Sequence, residues 1–176
     1  MMKIASRNLI DQSLVDKAKI FAQLHHTGQF YGDGNDYFLA HIEPVVAKAI
    51  SLAQPLGLDL HAVAILAYLH DVLEDCEEVT FEMIDELFGK NILDGVVLLS
   101  NRIASIPNSA KSMDEYFSLI GHASPEIKLV KVADRIMNVD LLPIHLDKQK
   151  MIALTEKYNE QKMYFQKYNI YPELLS

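Results

Sequence analysis

The sequence predicts an all-α fold, a single domain of about eight helices over residues 1–176. Three observations predict it. Apolar residues recur at spacings of three and four, no stretch alternates with period two, and the punctuation is that of helices. Only 7 glycines and 6 prolines interrupt the chain.

The first helix is read from about Ser13 to Thr27, where Leu14, Val15, Ala18, Phe21, Ala22 and His25 share one face. Gly28 to Asp36 carries three glycines in seven residues and must be a loop. Pro44 suits a first helical turn, so Val45 to Ala53 forms a second helix. Asp59 caps a strongly apolar third helix that runs through Ala62–Leu69 to about Glu74. Thr80 caps a short helix stopped by Gly89, and another covers Asn91 to Ser100. Asn101 to Ala110 is polar, contains Pro107 and reads as a loop; Lys111 to His122 is amphipathic. Ser124-Pro125-Glu126 is a helix start, with a cap, a proline and an acid in the first turn, for a helix reaching about Leu142. The last helix spans Asp147 to about Asn169.

A chain of 176 residues with half its residues apolar and 23% charged has the make-up of one globular core. A formal net charge of −8 repels phosphate backbones, which argues against nucleic acid as a partner. The longest apolar run, Ala62–Leu69, is far short of the roughly 18 residues of a membrane span, and the opening MMKIASRNLIDQ has no secretory stretch. The lone Cys76 excludes an internal disulfide framework and points to a reducing compartment, the cytoplasm. Cys76 is expected to be a small buried residue.

Polar residues break this pattern at three places. His70, Asp71, Glu74 and Asp75 crowd the end of the third helix, with the three carboxylates on one face. Like charges at that spacing repel, and the helix dipole adds to the cost. No Lys or Arg lies between Lys48 and Lys90 to compensate. A divalent cation on His70 and Asp71 would remove the conflict, since imidazole and carboxylate suit Mn, Fe or Zn; the alternative is a solvated helix end. Asp134 falls on the apolar stripe Ile127, Val130, Ala133, Met137, where a carboxylate needs a partner. Arg135 points about 100° away, which leaves metal ligation or an interhelix salt bridge. Lys131 and Asn138 share the face of Asp134 and could serve a ligand beside the metal. His41, just before the second helix, supplies a second imidazole, and the set leaves coordination positions open for water or substrate.

These residues, in this order, resemble the H…HD…D pattern of the HD superfamily of metal-dependent phosphohydrolases. The nearer resemblance is to the hydrolase domain of the RelA/SpoT family, including its small stand-alone members. It rests on Phe21–Gln29, His41, Leu69-His-Asp-Val-Leu-Glu-Asp75 with Thr80, Phe88-Gly89, and Lys131-Val-Ala-Asp-Arg-Ile-Met-Asn138. The resemblance implies an HD-domain helical bundle in which His41, His70, Asp71 and Asp134 hold one metal ion, Mn2+ in that family. It implies that Glu74 and Asp75 position and activate the attacking water, that Asn138 contacts the ribose, and that Tyr158 lies by the 3′ side. Lys131 matches a lysine of the same motif. The implied reaction is hydrolysis of guanosine 3′,5′-bis(diphosphate), ppGpp, to GDP and pyrophosphate. Lys131, Arg102 and Lys111 are the candidate cations for the substrate's charge.

The chain departs from the family pattern around the substrate. Phe30-Tyr31 follow Gln29 where an arginine is usual, Ile42 follows His41 where a proline is usual, and Met137 stands in place of a frequent histidine. Tyr31 is then a candidate for stacking on a base. Two other functions stay open: an HD phosphohydrolase acting on another nucleotide or phosphorylated metabolite, and a nucleotide-sensing HD domain without turnover. The expected partner is a small phosphorylated nucleotide. The stripe Tyr158, Tyr164, Phe165, Tyr168 reads as core or as packing between copies, and nothing in the sequence opposes a homo-oligomer. His25, His26, His61, His122 and His145 are expected to be structural or exposed.

Overall fold

The computed structural model describes residues 2–32, 34–141 and 148–175. Among these, helices dominate and the expected all-α class holds. Asp33 in the first loop lies outside the described residues, as do Leu142, Pro143, His145 and Asp147.

Helix α1 spans Met2–His25, and its buried Ala18, Phe21 and Ala22 follow the three-and-four spacing. It begins well before Ser13, because the opening segment contains neither glycine nor proline to stop it. The glycine loop contains a minimal hairpin, β1 (Phe30–Tyr31) against β2 (Asn35–Asp36), in register Phe30 to Asp36 and Tyr31 to Asn35. Two-residue strands are too short to leave a period-two pattern. Gly32 (φ +60°) and Gly34 (φ +89°) supply the left-handed backbone of the reversal. The Tyr37 N–H donates to the Gln29 carbonyl (3.0 Å) and closes the hairpin at its base.

A π-helical turn, Phe38–Ile42, leads directly into α2, Glu43–Leu56, which Gly57 ends in a left-handed conformation (φ +67°). Helix α3 is Leu60–Leu69, capped by the Asp59 carboxylate on the His61 and Ala62 amides. It stops five residues before the expected Glu74. Asp71 (φ −105°, ψ −7°) breaks the run, and a separate turn, α4, covers Val72–Asp75. Glu74 and Asp75 therefore do not continue α3, and both of their amides bond back to the Asp71 carbonyl.

Thr80 and Gly89 bracket α5 (Phe81–Phe88) as expected, followed by α6 (Lys90–Leu99). After the 101–110 loop come α7 (Met113–His122), α8 (Pro125–Asp140) and α9 (Lys148–Lys167), with a 3-10 turn at Pro172–Leu174. The Ser124 hydroxyl accepts from Ile127 N–H, as its cap role requires. Helix α8 packs across α2 and α3, α3 also rests on α1, and α7 and α9 pair at one side. The core is the fully buried Leu69, Leu73, Ile84, Phe117, Leu129 and Phe165. Phe117 meets Phe165 edge-on (5.0 Å) and stacks on Tyr164 (5.3 Å), so the C-terminal aromatic stripe is largely core packing. Helix α6 approaches α3 closely at Gly95: a Cβ there would lie 2.6 Å from Leu66 Cδ2, so Leu66 would have to shift. No helix among the described residues is long and apolar enough to cross a membrane.

Candidate functional site

Four segments bring the polar residues together: the π-turn before α2, the α3–α4 break, the middle of α8, and the start of the 101–110 loop. His70 caps the C-terminal end of α3, and its Nδ1 lies 2.7 Å from the Ala67 carbonyl. A carbonyl only accepts, so Nδ1 carries the proton and Nε2 faces the cluster as a bare acceptor when the ring is neutral. His70 Nε2 stands 3.0 Å from Asp71 Oδ2 and 3.8 Å from Asp134 Oδ1. His41 Nε2 stands 3.3 Å and 3.5 Å from the same two oxygens. His70 Nε2 makes no hydrogen bond although it is buried. Ligand atoms of His41, His70 and Asp71 fall within 4.8 Å of one another. Two imidazole nitrogens and two carboxylate oxygens at these separations require positive charge between them, as a proton or as a metal ion.

Without a metal ion, the two carboxylates favour protons on the imidazoles. Burial pushes the His41 pKa down, but its contacts with Asp134 and Asp71 outweigh that and raise it to about 10. Burial likewise opposes charge on Asp71, and His70 and His41 still hold its carboxyl well below the usual range.

Asp134 is 5% exposed. It has partners from other elements, His41 and His70, and two more on its own helix. Lys131, one turn earlier on α8, donates to Oδ2 (2.8 Å), and the Asn138 amide, one turn later, donates to Oδ1. Lys131 Nζ also lies 5.2 Å over the Tyr116 ring. Arg135 turns away from Asp134, as the helical angle predicts. Its Nη2 donates to the Tyr158 carbonyl (2.9 Å), and its guanidinium lies 4.3 Å over the Tyr158 ring.

The acidic pair is held from outside α4. Glu74 Oε2 accepts from Asn101 N–H (3.0 Å), and Asp75 Oδ1 pairs with Arg102 Nη2 (3.2 Å). Burial, then the charge of Asp71, pushes both carboxyls up from their ordinary values. A carboxyl raised in this way takes up a proton more readily than an ordinary one, which suits a general base. Gln29 Nε2 donates to the Asp75 carbonyl (2.8 Å) while its Oε1 meets His26 Nδ1 (2.7 Å). Cys76 is buried, donates to the His25 carbonyl (3.3 Å), and burial pushes its thiol up to about 12. That is a structural thiol.

A cavity of about 310 Å³ opens over these groups, and Asp71, Glu74, Asp75, Lys131, Asn138 and Tyr158 all border it. Tyr31 sits at its margin, where its hydroxyl donates to Asn138 Oδ1 (3.2 Å) and its ring stacks on His41 (5.0 Å, 13°). One face of the Tyr31 ring thus lies on an imidazole. Arg102 reaches the site only through Asp75, while Lys111 is tied to the Ser100 carbonyl (2.6 Å); neither borders the cavity. Among the other histidines, His26 is buried and His25 meets Glu78 Oε1 (2.9 Å).

Sequence reasoning missed Tyr37. Its half-buried hydroxyl donates to Asp71 Oδ2 (2.7 Å) and stands 3.3 Å from Asp75 Oδ2, so it bridges the two acidic positions. The available signal was its place one helical turn before His41. Arg135 and Lys157 also border the cavity and carried no separate signal.

No family model matches the chain. Over 150 residues, 82% of its length, it is 29% identical to the GTP pyrophosphokinase rsh of Brucella melitensis biotype 1, and equally to that of Brucella ovis. The corresponding protein of Brucella suis biovar 1 is 27% identical over 147 residues. The chain spans only 19% of the first of these relatives, about a fifth of its length. Among solved structures, a metazoan orthologue of SpoT, described as hydrolysing ppGpp and acting in starvation responses, superposes with a TM-score of 0.66. That match covers 86% of this chain and 84% of the other at 18% identity, and it shows a shared fold. The resemblance drawn from the residues is therefore met twice, by sequence similarity to RelA/SpoT-type proteins and by the helical HD fold of a SpoT orthologue.

Proposed function

We propose that the chain is a divalent-metal-dependent phosphohydrolase that removes the 3′-pyrophosphate from ppGpp, giving GDP and pyrophosphate. One observation carries this reading: His41, His70, Asp71 and Asp134 converge within ligand distance while Glu74 and Asp75 flank them on one cavity. The residues fit a metal. His70 is fixed in the tautomer that presents Nε2, that nitrogen is buried without a hydrogen bond, and the mixed nitrogen and oxygen donors suit Mn2+. When bound, the metal would lower the pKa of a coordinated water and screen the phosphoryl oxygens.

The chain's own residues supply the rest. Glu74, held by the Asn101 amide, or Asp75, held by Tyr37 and Arg102, accepts the water proton and delivers it to the leaving O3′. The water oxygen forms a new bond to the phosphorus as the phosphorus–O3′ bond breaks. Asn138 and Tyr158 orient the ribose end, and Lys131 balances the charge beside Asp134. A small nucleotide as partner and a cytoplasmic setting belong to the same reading.

The test is Mn2+-dependent release of pyrophosphate from ppGpp beside a panel of other nucleotides. Asp71→Asn should lose metal binding and turnover together. Normal hydrolysis by that variant would end the assignment. A second reading, an HD phosphohydrolase for another nucleotide, is favoured by Tyr31 lying where an arginine is usual. Orthophosphate release from other nucleotides with ppGpp untouched would establish it.

A further inference from the structure

A second cavity, about 460 Å³, shares Arg135 with the first and lies between α2, α8, α9 and the C-terminal turn. Its polar wall carries three cations, Lys48, Arg135 and Lys162, against one carboxylate, Asp140. This excess of positive charge stands out in a chain of net charge −8. Among the described residues neither Lys48 nor Lys162 has an ion-pair partner. The remaining wall is largely aliphatic, with Leu52, Ile136 and Leu174 contributed by three different elements.

Arg135 borders both cavities. Its Nη2 is engaged by the Tyr158 carbonyl and its face by the Tyr158 ring, but its Nε is buried without an acceptor. A buried N–H of a charged group left unpaired is costly, and a guanidinium has five donors to offer. An acceptor brought into the second cavity would be drawn to this side chain. The size, the aliphatic wall and the few converging cations are those of a small-ligand site.

We propose that this cavity binds a small organic anion, a carboxylate or phosphate group on an apolar body, and that its occupancy is coupled to the candidate active site through Arg135 and Tyr158. The head group competes for the guanidinium that now holds Tyr158, so the anion weakens nucleotide binding, and the nucleotide weakens the anion by the same factor. The cavity stands on its own geometry; the coupling to ppGpp rests on the proposed hydrolase reading.

The probes are 2-naphthoate, 2-naphthylphosphonate and the neutral 2-naphthylmethanol, titrated into the 15N-labelled full chain with the Arg135 Nε–H resonance as readout. Both anions should shift that resonance saturably and bind at least tenfold tighter than the alcohol. A preference for one anion would fix the head group. The double variant Lys48→Ala/Lys162→Ala, whose side chains lie outside the first cavity, should bind naphthoate at least tenfold more weakly and hydrolyse ppGpp normally in its absence. In the parent chain naphthoate should raise the KM for ppGpp at least threefold, and the double variant should lose that effect. Equal binding of the alcohol, or unchanged naphthoate affinity in the double variant, would overturn the site. Saturation without a change in KM would overturn the coupling. A chain that binds naphthoate as described but leaves ppGpp intact would keep the cavity and remove only the hydrolase reading, so the two failures are distinguishable.

Discussion

Metal loading should rise steeply with pH, because the metal must displace the protons that now neutralise the cluster. The His41 pKa stands at about 10 in the metal-free chain, where burial is outweighed by contact with Asp134 and Asp71. At pH 7 that is about three units of protonation to undo, which at about 1.36 kcal/mol per unit is about 4 kcal/mol subtracted from the binding free energy. Apparent affinity for Mn2+ should therefore climb about tenfold per pH unit between roughly 7 and 9 from His41 alone. His70 adds to the slope, since Asp71 raises its pKa against the effect of burial. Calorimetry in two buffers of different ionisation enthalpy should count between roughly one and two protons released per metal bound. The same shift has a stability counterpart. A folded-state pKa above the unfolded value of about 6.5 stabilises the metal-free chain fully below that pH, and the contribution is lost as pH rises through about 10. The Tm of the metal-free chain should fall across that window, and the metal-loaded chain should change less. An affinity flat between pH 7 and 9, with no proton release, would refute the reasoning.

Glu74→Gln should keep the metal and lower kcat by about 10² to 10⁴, as expected for removal of a positioned base, measured by pyrophosphate release and metal titration side by side. The acidic limb of kcat/KM should lie above the ordinary carboxylate range, because burial and Asp71 raise Glu74 and Asp75, and the base must be deprotonated to act. A pH–rate profile checks it. Lys131→Met strips a buried carboxylate of its ion partner and should cost about 3–5 kcal/mol in urea unfolding of the metal-free chain. Phe117→Ala, fully buried against Phe165 and Tyr164, should cost about 3–5 kcal/mol while metal affinity in the surviving folded fraction stays unchanged.

Local chemistry made much of this architecture readable. Asp59, Thr80 and Ser124 each accept an amide at the helix start where a short polar side chain precedes an apolar run, and Gly89 ends α5 at positive φ. Asp134 was detectable because a carboxylate on an apolar stripe must be explained, and its placement near His41 and His70 gives the explanation. The α3–α4 break was not readable. The run Ala62–Leu69 continues without a glycine or proline into His70-Asp71, so only tertiary demand, the fit of His70 and Asp71 to residues far along the chain, ends the helix there. Tyr37 escaped notice for a related reason. A tyrosine beside a loop has no periodic signature, and its value arises from Asp71 and Asp75, 34 and 38 residues away. The Lys131–Asp134 pair is within reach of helical spacing, since residues three apart share a face, but the same spacing also leaves Lys131 placed for a ligand beside the metal.

The hairpin after α1 is fastened below its tip. Its neck is tied by the Tyr37 amide on the Gln29 carbonyl, and the Gln29 side chain anchors that neck to the carbonyl of Asp75. Everything between Phe30 and Asp36 therefore hangs on a fixed stalk. Phe30 and the turn beyond it can be exchanged without disturbing that anchor, whereas Tyr31 reaches back to His41 and Asn138. A library that varies the tip around a retained Tyr31 and leaves the stalk alone would therefore reshape the edge of the cavity while the carboxylates keep their supports.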